Sequence, residues 1–213
     1  MSQKKLEVVV YSDYVCPFCY IGYHRIEKLK DQYNLDVEWK PFELHPETPK
    51  EGVPIEKLPF PREAFEMFIA NVKKLADEDG LTIKSGGIMS NSRLALYISE
   101  YARKKGLFNQ FHEIIMKKYW IEGKNIGDLS LLLELAESIG LNRDEILNFI
   151  ETDEPAKILK ASSAELQNYM INGVPTFIIG DSKIVIGAQP YDYFERVINQ
   201  VLEEKAMASE MSD

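Results

Sequence analysis

The sequence predicts an α/β chain in which a βαβ half and a ββα half are separated by a large all-helical insertion. Three observations carry this. A β-branched run at residues 6–11 gives way to a helical pattern after Pro17, and an alternating run follows from Leu35. The stretch 62–167 keeps a helical period broken by glycines. Two short apolar runs, 176–179 and 183–186, then flank Gly180-Asp181-Ser182 and lead into a last amphipathic stretch. Residues 1–61 and 168–213 are expected to form one domain, with 62–167 inserted as a helical one.

Taken in order, Leu6-Glu7-Val8-Val9-Val10-Tyr11 is rich in β-branched and aromatic side chains and reads as a strand. The segment from Pro17 to Tyr33 places Ile21, Ile26 and Leu29 on one helical face. Proline is favoured in a first helical turn, where its missing N–H has no intrahelical partner, so Pro17 is expected at N1 and Cys16 at the N-cap. Residues 35–42 alternate apolar and polar as a half-buried strand does. Five prolines and Gly52 between His45 and Pro61 suit neither helix nor central strand, so this stretch is expected to be an ordered surface loop, with Phe60 packed within it.

Beyond it, Phe65, Phe68, Ile69, Val72 and Leu75 make one apolar stripe that Asp79-Gly80 closes. Further helices are expected at about 92–105, 108–120, 129–139, 143–151 and 156–171, bounded by Gly86-Gly87, Gly106, Gly123, Gly127 and Gly140. Asn142 and Glu145 have the spacing of an N-cap with a reciprocal N3 acid. Phe111, Met116 and Trp120, at helical spacing, are expected in the core. The last helix should run from about 191 to 204, and the polar tail 206–213 should fray.

The 213 residues are 45% hydrophobic, an ordinary globular content sufficient for a sizeable core. A net charge of −9 without a basic stripe argues against a nucleic-acid partner. After Met1-Ser2-Gln3-Lys4-Lys5 the apolar run is interrupted by Glu7 and stops at Ser12-Asp13, too short for a secretory core, and no later run is long enough to span a bilayer. A cytoplasmic protein with no membrane partner is therefore expected. In that compartment structural disulfides are rare, and a Cys-x-x-Cys beside a βαβ pattern is a redox motif.

Both cysteines of the chain lie in Tyr14-Val15-Cys16-Pro17-Phe18-Cys19. The unpaired N–H groups and positive dipole end of a helix N-terminus stabilise a capping thiolate, which makes Cys16 the nucleophile. Cys19, three residues on, has its Cα roughly 5–6 Å away, within reach of a disulfide, and is the resolving thiol. Structural zinc needs four ligands; there is no second cysteine pair, and His24, His45 and His112 are scattered singly, so no metal is expected. Asp13 and Glu38 flank the motif. A buried carboxylate there is able to shuttle a proton to Cys19, although either residue type is commoner at a surface.

The motif with Tyr20-x-Gly22 after it, Pro41-Phe42-Glu43-Leu44, Asn91-Ser92, Gly173-Val174-Pro175-Thr176-Phe177 and Ile186-Gly187-Ala188-Gln189 resembles, in this order, the thioredoxin superfamily. More narrowly it is similar to the DsbA-like branch and its FrnE-like dithiol oxidoreductases. The resemblance implies a thioredoxin fold with the helical insertion, Cys16 attacking and Cys19 resolving. It also implies a cis Pro175 beside the thiols, with the Val174 backbone offered to substrate. Pro17, Phe18, Val174 and Pro175 are the implied substrate-contacting residues. In DsbA proper the intervening dipeptide is Pro-His. Phe18 supplies no cation, so a less oxidising disulfide is expected, and Pro-aromatic dipeptides also resemble glutaredoxins.

Three functions compete. The first is a dithiol–disulfide oxidoreductase acting on protein or small-molecule thiols and disulfides, with no bound cofactor and glutathione as an optional co-substrate. The second is a glutathione-dependent transferase or isomerase, since the kappa-class transferases and 2-hydroxychromene-2-carboxylate isomerases resemble the same strands and insertion. Those families usually have serine at the position of Cys16 and lack the second cysteine. The third is a peptide-binding chaperone module built around Phe60. Oligomeric state, a homodimer included, is left open by the sequence.

Overall fold

The computed structural model describes residues 5–84 and 87–210. Gly86, one of the expected helix boundaries, lies outside them, as do residues 1–4 and 211–213. The strand β1 (Leu6–Ser12) leads into the helix α1 (Pro17–Tyr33), with Cys16 as N-cap and a proline in the first turn. Asn34, in the left-handed conformation at φ 49°, ends that helix, and β2 (Leu35–Pro41) begins at the next residue. The last two strands are β5 (Thr176–Ile179) and β6 (Lys183–Ile186). Together they form one sheet in the order β2-β1-β5-β6, β1 and β2 parallel and the other pairs antiparallel.

Pairing of Val8 with Ile179 and Val10 with Phe177 places β1 at the sheet's centre. All of its side chains but Glu7 are consequently buried or partly buried, on both faces. Val8 and Val10 pack with Ile26 and Leu29 of α1 and with Phe194, Ile198 and Val201 of the last helix, α8 (Tyr191–Glu210). Tyr11 and Ile178 face the other way, onto Leu166 of α7 (Glu154–Asn168). α8 continues past the expected end at 204 because Glu203 to Ala208 are mostly strong helix formers, so the expected fraying from 206 is not seen through Glu210.

Between β2 and α7 the chain is mostly helical. α2 (Arg62–Glu78), α3 (Arg93–Lys104), α4 (Phe108–Trp120), α5 (Leu129–Ser138) and α6 (Arg143–Glu151) follow the expected boundaries closely. Phe111, Met116 and Trp120 sit in the core that α3 to α7 build. Asn142 caps α6 through the Glu145 N–H, but the Glu145 carboxylate does not reciprocate: it accepts from the Tyr101 hydroxyl and pairs with Lys105. One ribbon was not legible: β3 (Val53–Pro54), inside the proline-rich loop, pairs antiparallel with β4 (Ile88–Met89), and a 3₁₀ turn (Ile55–Lys57) follows β3.

Candidate functional site

The site begins with how α1 starts. Cys16 is extended at φ −88°, ψ 116°, and its carbonyl accepts from the N–H groups of Cys19 and Tyr20 at 3.0 and 3.2 Å, so both thiols belong to the first turn. The flanking aromatics fasten this turn to the helical layer. The Tyr14 carbonyl accepts from the Trp120 indole at 2.9 Å, its hydroxyl pairs with Ser99 at 2.6 Å, and Tyr20 stacks on Trp120. The motif is therefore held from both ends by buried side chains.

The two thiols are free and differ in surroundings. Cys16 is 3% exposed and its thiol points at the Val174 carbonyl, 3.6 Å away. Cys19 is wholly buried, and its sulfur accepts the Asp13 N–H at 3.5 Å. Burial pushes the Cys19 thiol well above its ordinary pKa, and the neighbouring Cys16 sulfur adds to the rise, against the Asp13 N–H and Ser12 hydroxyl. The Val174–Pro175 peptide is cis, as the resemblance implied. Pro175 lies against α1: a Cβ added to Gly22 would come within 3.3 Å of its ring and 2.9 Å of Phe177. Gly22 is the residue that lets β5 and the proline loop approach the motif so closely.

Of the two carboxylates noted in the sequence, Glu38 is exposed and takes no part. Asp13 is completely buried behind the thiols, with its pKa raised to about 6. Desolvation dominates that rise, partly offset by the Leu44 N–H at 2.7 Å, the Ser92 hydroxyl and the Val15 N–H. Ser92 and Asn91 open α3, and Asn91 also donates to the Thr48 carbonyl at 2.6 Å, so this pair ties the proline-rich loop to the site.

In front of Cys16 lies a cavity of about 760 Å³. Of the expected site residues, Cys16, Pro17, Phe18 and Val174 line it. Cys19 and Pro175 stand outside its wall as support. The far wall is α2: Phe65, Phe68, Ile69 and Val72 face the cavity rather than a packed core, and Phe68 meets Phe18 edge-on at 5.7 Å. Phe60 is not packed within its loop as expected; it is 54% exposed and also lines the cavity, with its ring stacked on Phe65. The fully buried Arg25, which nothing in its local sequence singles out, pins the end of α2. It donates to Asp79 at 2.6 Å and to the carbonyls of Ala188 and Gln189 at 2.8 and 2.6 Å. Among the described residues no group of three or more His, Cys, Asp or Glu side chains is arranged to hold a metal ion.

A central β1 flanked by β2 and β5, a Cys-x-x-Cys opening α1 and a cis Val174–Pro175 bond whose Val174 carbonyl faces the first thiol define a dithiol protein of the thioredoxin fold. The chain belongs to the family described as DSBA-like thioredoxin domain, whose model matches residues 7–199. It is 30% identical over 206 residues to the uncharacterized protein YwbO of Bacillus subtilis, covering 94% of this chain and 99% of the relative. Its fold is similar to that of a probable DsbA oxidoreductase from Streptomyces coelicolor, with TM-score 0.80, 24% identity and coverage of 93% and 91% of the two chains. A 2-hydroxychromene-2-carboxylate isomerase matches with TM-score 0.77 at 18% identity over 95% and 98%. The cytosolic disulfide reductase DsbM of Pseudomonas aeruginosa, with GSH, matches with TM-score 0.70 at 17% identity over 92% and 99%.

Proposed function

We propose that the chain is a cytosolic dithiol–disulfide oxidoreductase in which Cys16 attacks and Cys19 resolves. The observation that carries this reading is the asymmetry of the thiols. Cys16 stands at the N-cap position of α1 and meets the cavity, whereas Cys19 is sealed behind it with its proton held on by burial. In the reductive direction the Cys16 thiolate displaces one sulfur of a substrate disulfide, forming a Cys16–substrate disulfide and releasing a thiolate that takes up a proton. Cys19 then loses its proton and attacks the Cys16 sulfur. The second substrate thiolate leaves, and the protein retains the Cys16–Cys19 disulfide. Because Cys19 starts as a thiol, resolution is the step that quickens as pH rises. Two equivalents of a monothiol such as glutathione return the dithiol; a cytosolic disulfide reductase of this fold is known with GSH.

The deciding experiment equilibrates the protein in glutathione buffers, traps thiols by alkylation and reads the mass. The expected species is an intramolecular disulfide, with Cys19→Ser accumulating a glutathione adduct on Cys16 and Cys16→Ser accumulating none. A potential near about −270 mV marks a reductase and one above about −200 mV an oxidant or isomerase. If the wild type yields only the Cys16 adduct, the dithiol reading fails. The glutathione-dependent transferase or isomerase reading, which the deep apolar cavity also favours, then takes its place.

A further inference from the structure

The helix α2 has an apolar stripe that is buried only toward its C-terminal end. Of its 17 residues only Val72 and Ala76 are buried, while Phe68 and Ile69 are 41% and 42% exposed although they face inward onto the cavity. An amphipathic helix normally gains its stability by packing that stripe on a core. Here the C-terminal end packs and is held by Arg25 gripping Asp79, while the half carrying Phe65, Phe68 and Ile69 lines the cavity of about 760 Å³ in front of Cys16. That volume lies within the roughly 300–1,000 Å³ of small-molecule pockets, which are likewise mostly apolar with a few polar groups.

The reactive sulfur is placed to match. Cys16 is 3% exposed and lines the cavity, so a substrate reaches its sulfur through the cavity. The polar side chains around the cavity are few, His45, Lys73, Asp77 and Thr82 among them. Resting on the dithiol reading above, we propose that the cavity is the substrate site and that its occupant is a small-molecule disulfide in which the sulfur that Cys16 attacks carries a bulky apolar, aromatic-sized body. Phe18, Phe65 and Phe68, a contiguous aromatic cluster on the cavity wall, then pack against the ring system, which is the chemical use of an aromatic rather than a histidine between the cysteines. The bond changes are those already given: both halves of the substrate disulfide leave as thiols, the Cys16–Cys19 pair is oxidised, and two monothiols such as glutathione restore it, leaving as their own disulfide.

The test separates occupancy from chemistry. Binding of the uncharged fluorescent probe N-phenyl-1-naphthylamine is measured on a Cys16→Ser/Cys19→Ser variant, which cannot turn over, and on the same variant carrying Ile69→Glu or Val72→Trp. Saturable one-to-one binding that Ile69→Glu weakens tenfold or more is expected; absence of saturable binding, or binding that neither cavity variant alters, overturns the proposal. Val72→Trp fills the cavity without adding charge, and circular dichroism on each variant separates a lost site from a lost fold. With intact cysteines, the mixed disulfide of naphthalene-2-thiol and glutathione should be reduced at least tenfold faster than oxidised glutathione, and Ile69→Glu should erase that preference. Equal rates, or faster reduction of an apolar peptide disulfide, reject the small-molecule occupant. Failure of every disulfide to react while the probe still binds rejects the redox reading and leaves the pocket.

Discussion

Replacing Asp13 with asparagine should change how stability responds to acid. The native carboxyl has a pKa of about 6 against an ordinary value of 3.8, a rise caused by burial. Since the folded value is the higher one, the stability linked to this group is full below pH 3.8 and is lost as pH rises through 6. At about 1.4 kcal/mol per unit the whole window amounts to about 3 kcal/mol, of which about 2 kcal/mol falls between pH 4 and 6. His112 acts in the opposite sense. Buried among Trp39, Tyr23 and Phe108 and repelled by Arg103, it has a pKa lowered to about 3 from 6.5, so its contribution is full above pH 6.5 and is lost on acidification. Over pH 4 to 6 its loss is also about 2 to 3 kcal/mol. The two nearly cancel in the wild type. The side-chain amide of Asp13→Asn keeps an oxygen for the Leu44 N–H and removes the titration, so urea unfolding of the reduced variant should show stability falling by about 2 kcal/mol more than wild type between pH 6 and 4. Equal slopes for the two proteins over that range would refute the assignment of the raised pKa to Asp13.

Three other substitutions test the scaffold around the thiols. Gly22→Ala drives a methyl to 2.9 Å from Phe177 and 3.3 Å from Pro175, and should cost about 1–2 kcal/mol in chemical denaturation and slow disulfide exchange; unchanged stability would mean the loop yields freely. Arg25→Met strands the Asp79 carboxylate and two carbonyls, and a loss of about 3 kcal/mol is expected, with the urea midpoint as readout; a loss below about 1 kcal/mol would show that α2 is held by something else. Met170, 91% exposed at φ 58°, occupies the left-handed position closing α7. Met170→Gly should stabilise by about 0.5–1 kcal/mol and raise Tm by a few degrees, and a fall in Tm would contradict the strain.

The parts of the fold that were legible are those in which neighbouring residues settle the matter. Pro17 after a β-branched run fixes where α1 starts and makes Cys16 its cap, and Gly180-Asp181 gives the β5–β6 turn its two left-handed residues at φ 59° and 63°. Helices α3 to α6 carry their own glycine and Asx boundaries. What escaped depends on distant partners. The stripe on α2 has the same periodicity as a core helix, and only the position of Cys16, Phe18 and Val174 turns it into a cavity wall. Asp13 and Glu38 are alike in sequence, yet one is sealed under Leu44 and Ser92 while the other meets solvent. The β3–β4 ribbon, two residues on each side with a proline in one, is too short to leave a period, and the extension of α8 to Glu210 rests on helix propensity outweighing a polar composition.

The sheet also has a history in time. β1 finds one neighbour, β2, within the first 41 residues, and the other, β5, only at residue 176. Val174, whose carbonyl meets the Cys16 thiol, lies 158 residues further along the chain. At about 5–20 residues per second, a ribosome takes roughly 8–30 s to cover that separation. Throughout that interval the growing chain carries both sulfurs without the segment that will face them, and one side of β1 without its strand. The thiol pair thus acquires its Val174 partner only once most of the chain has been made.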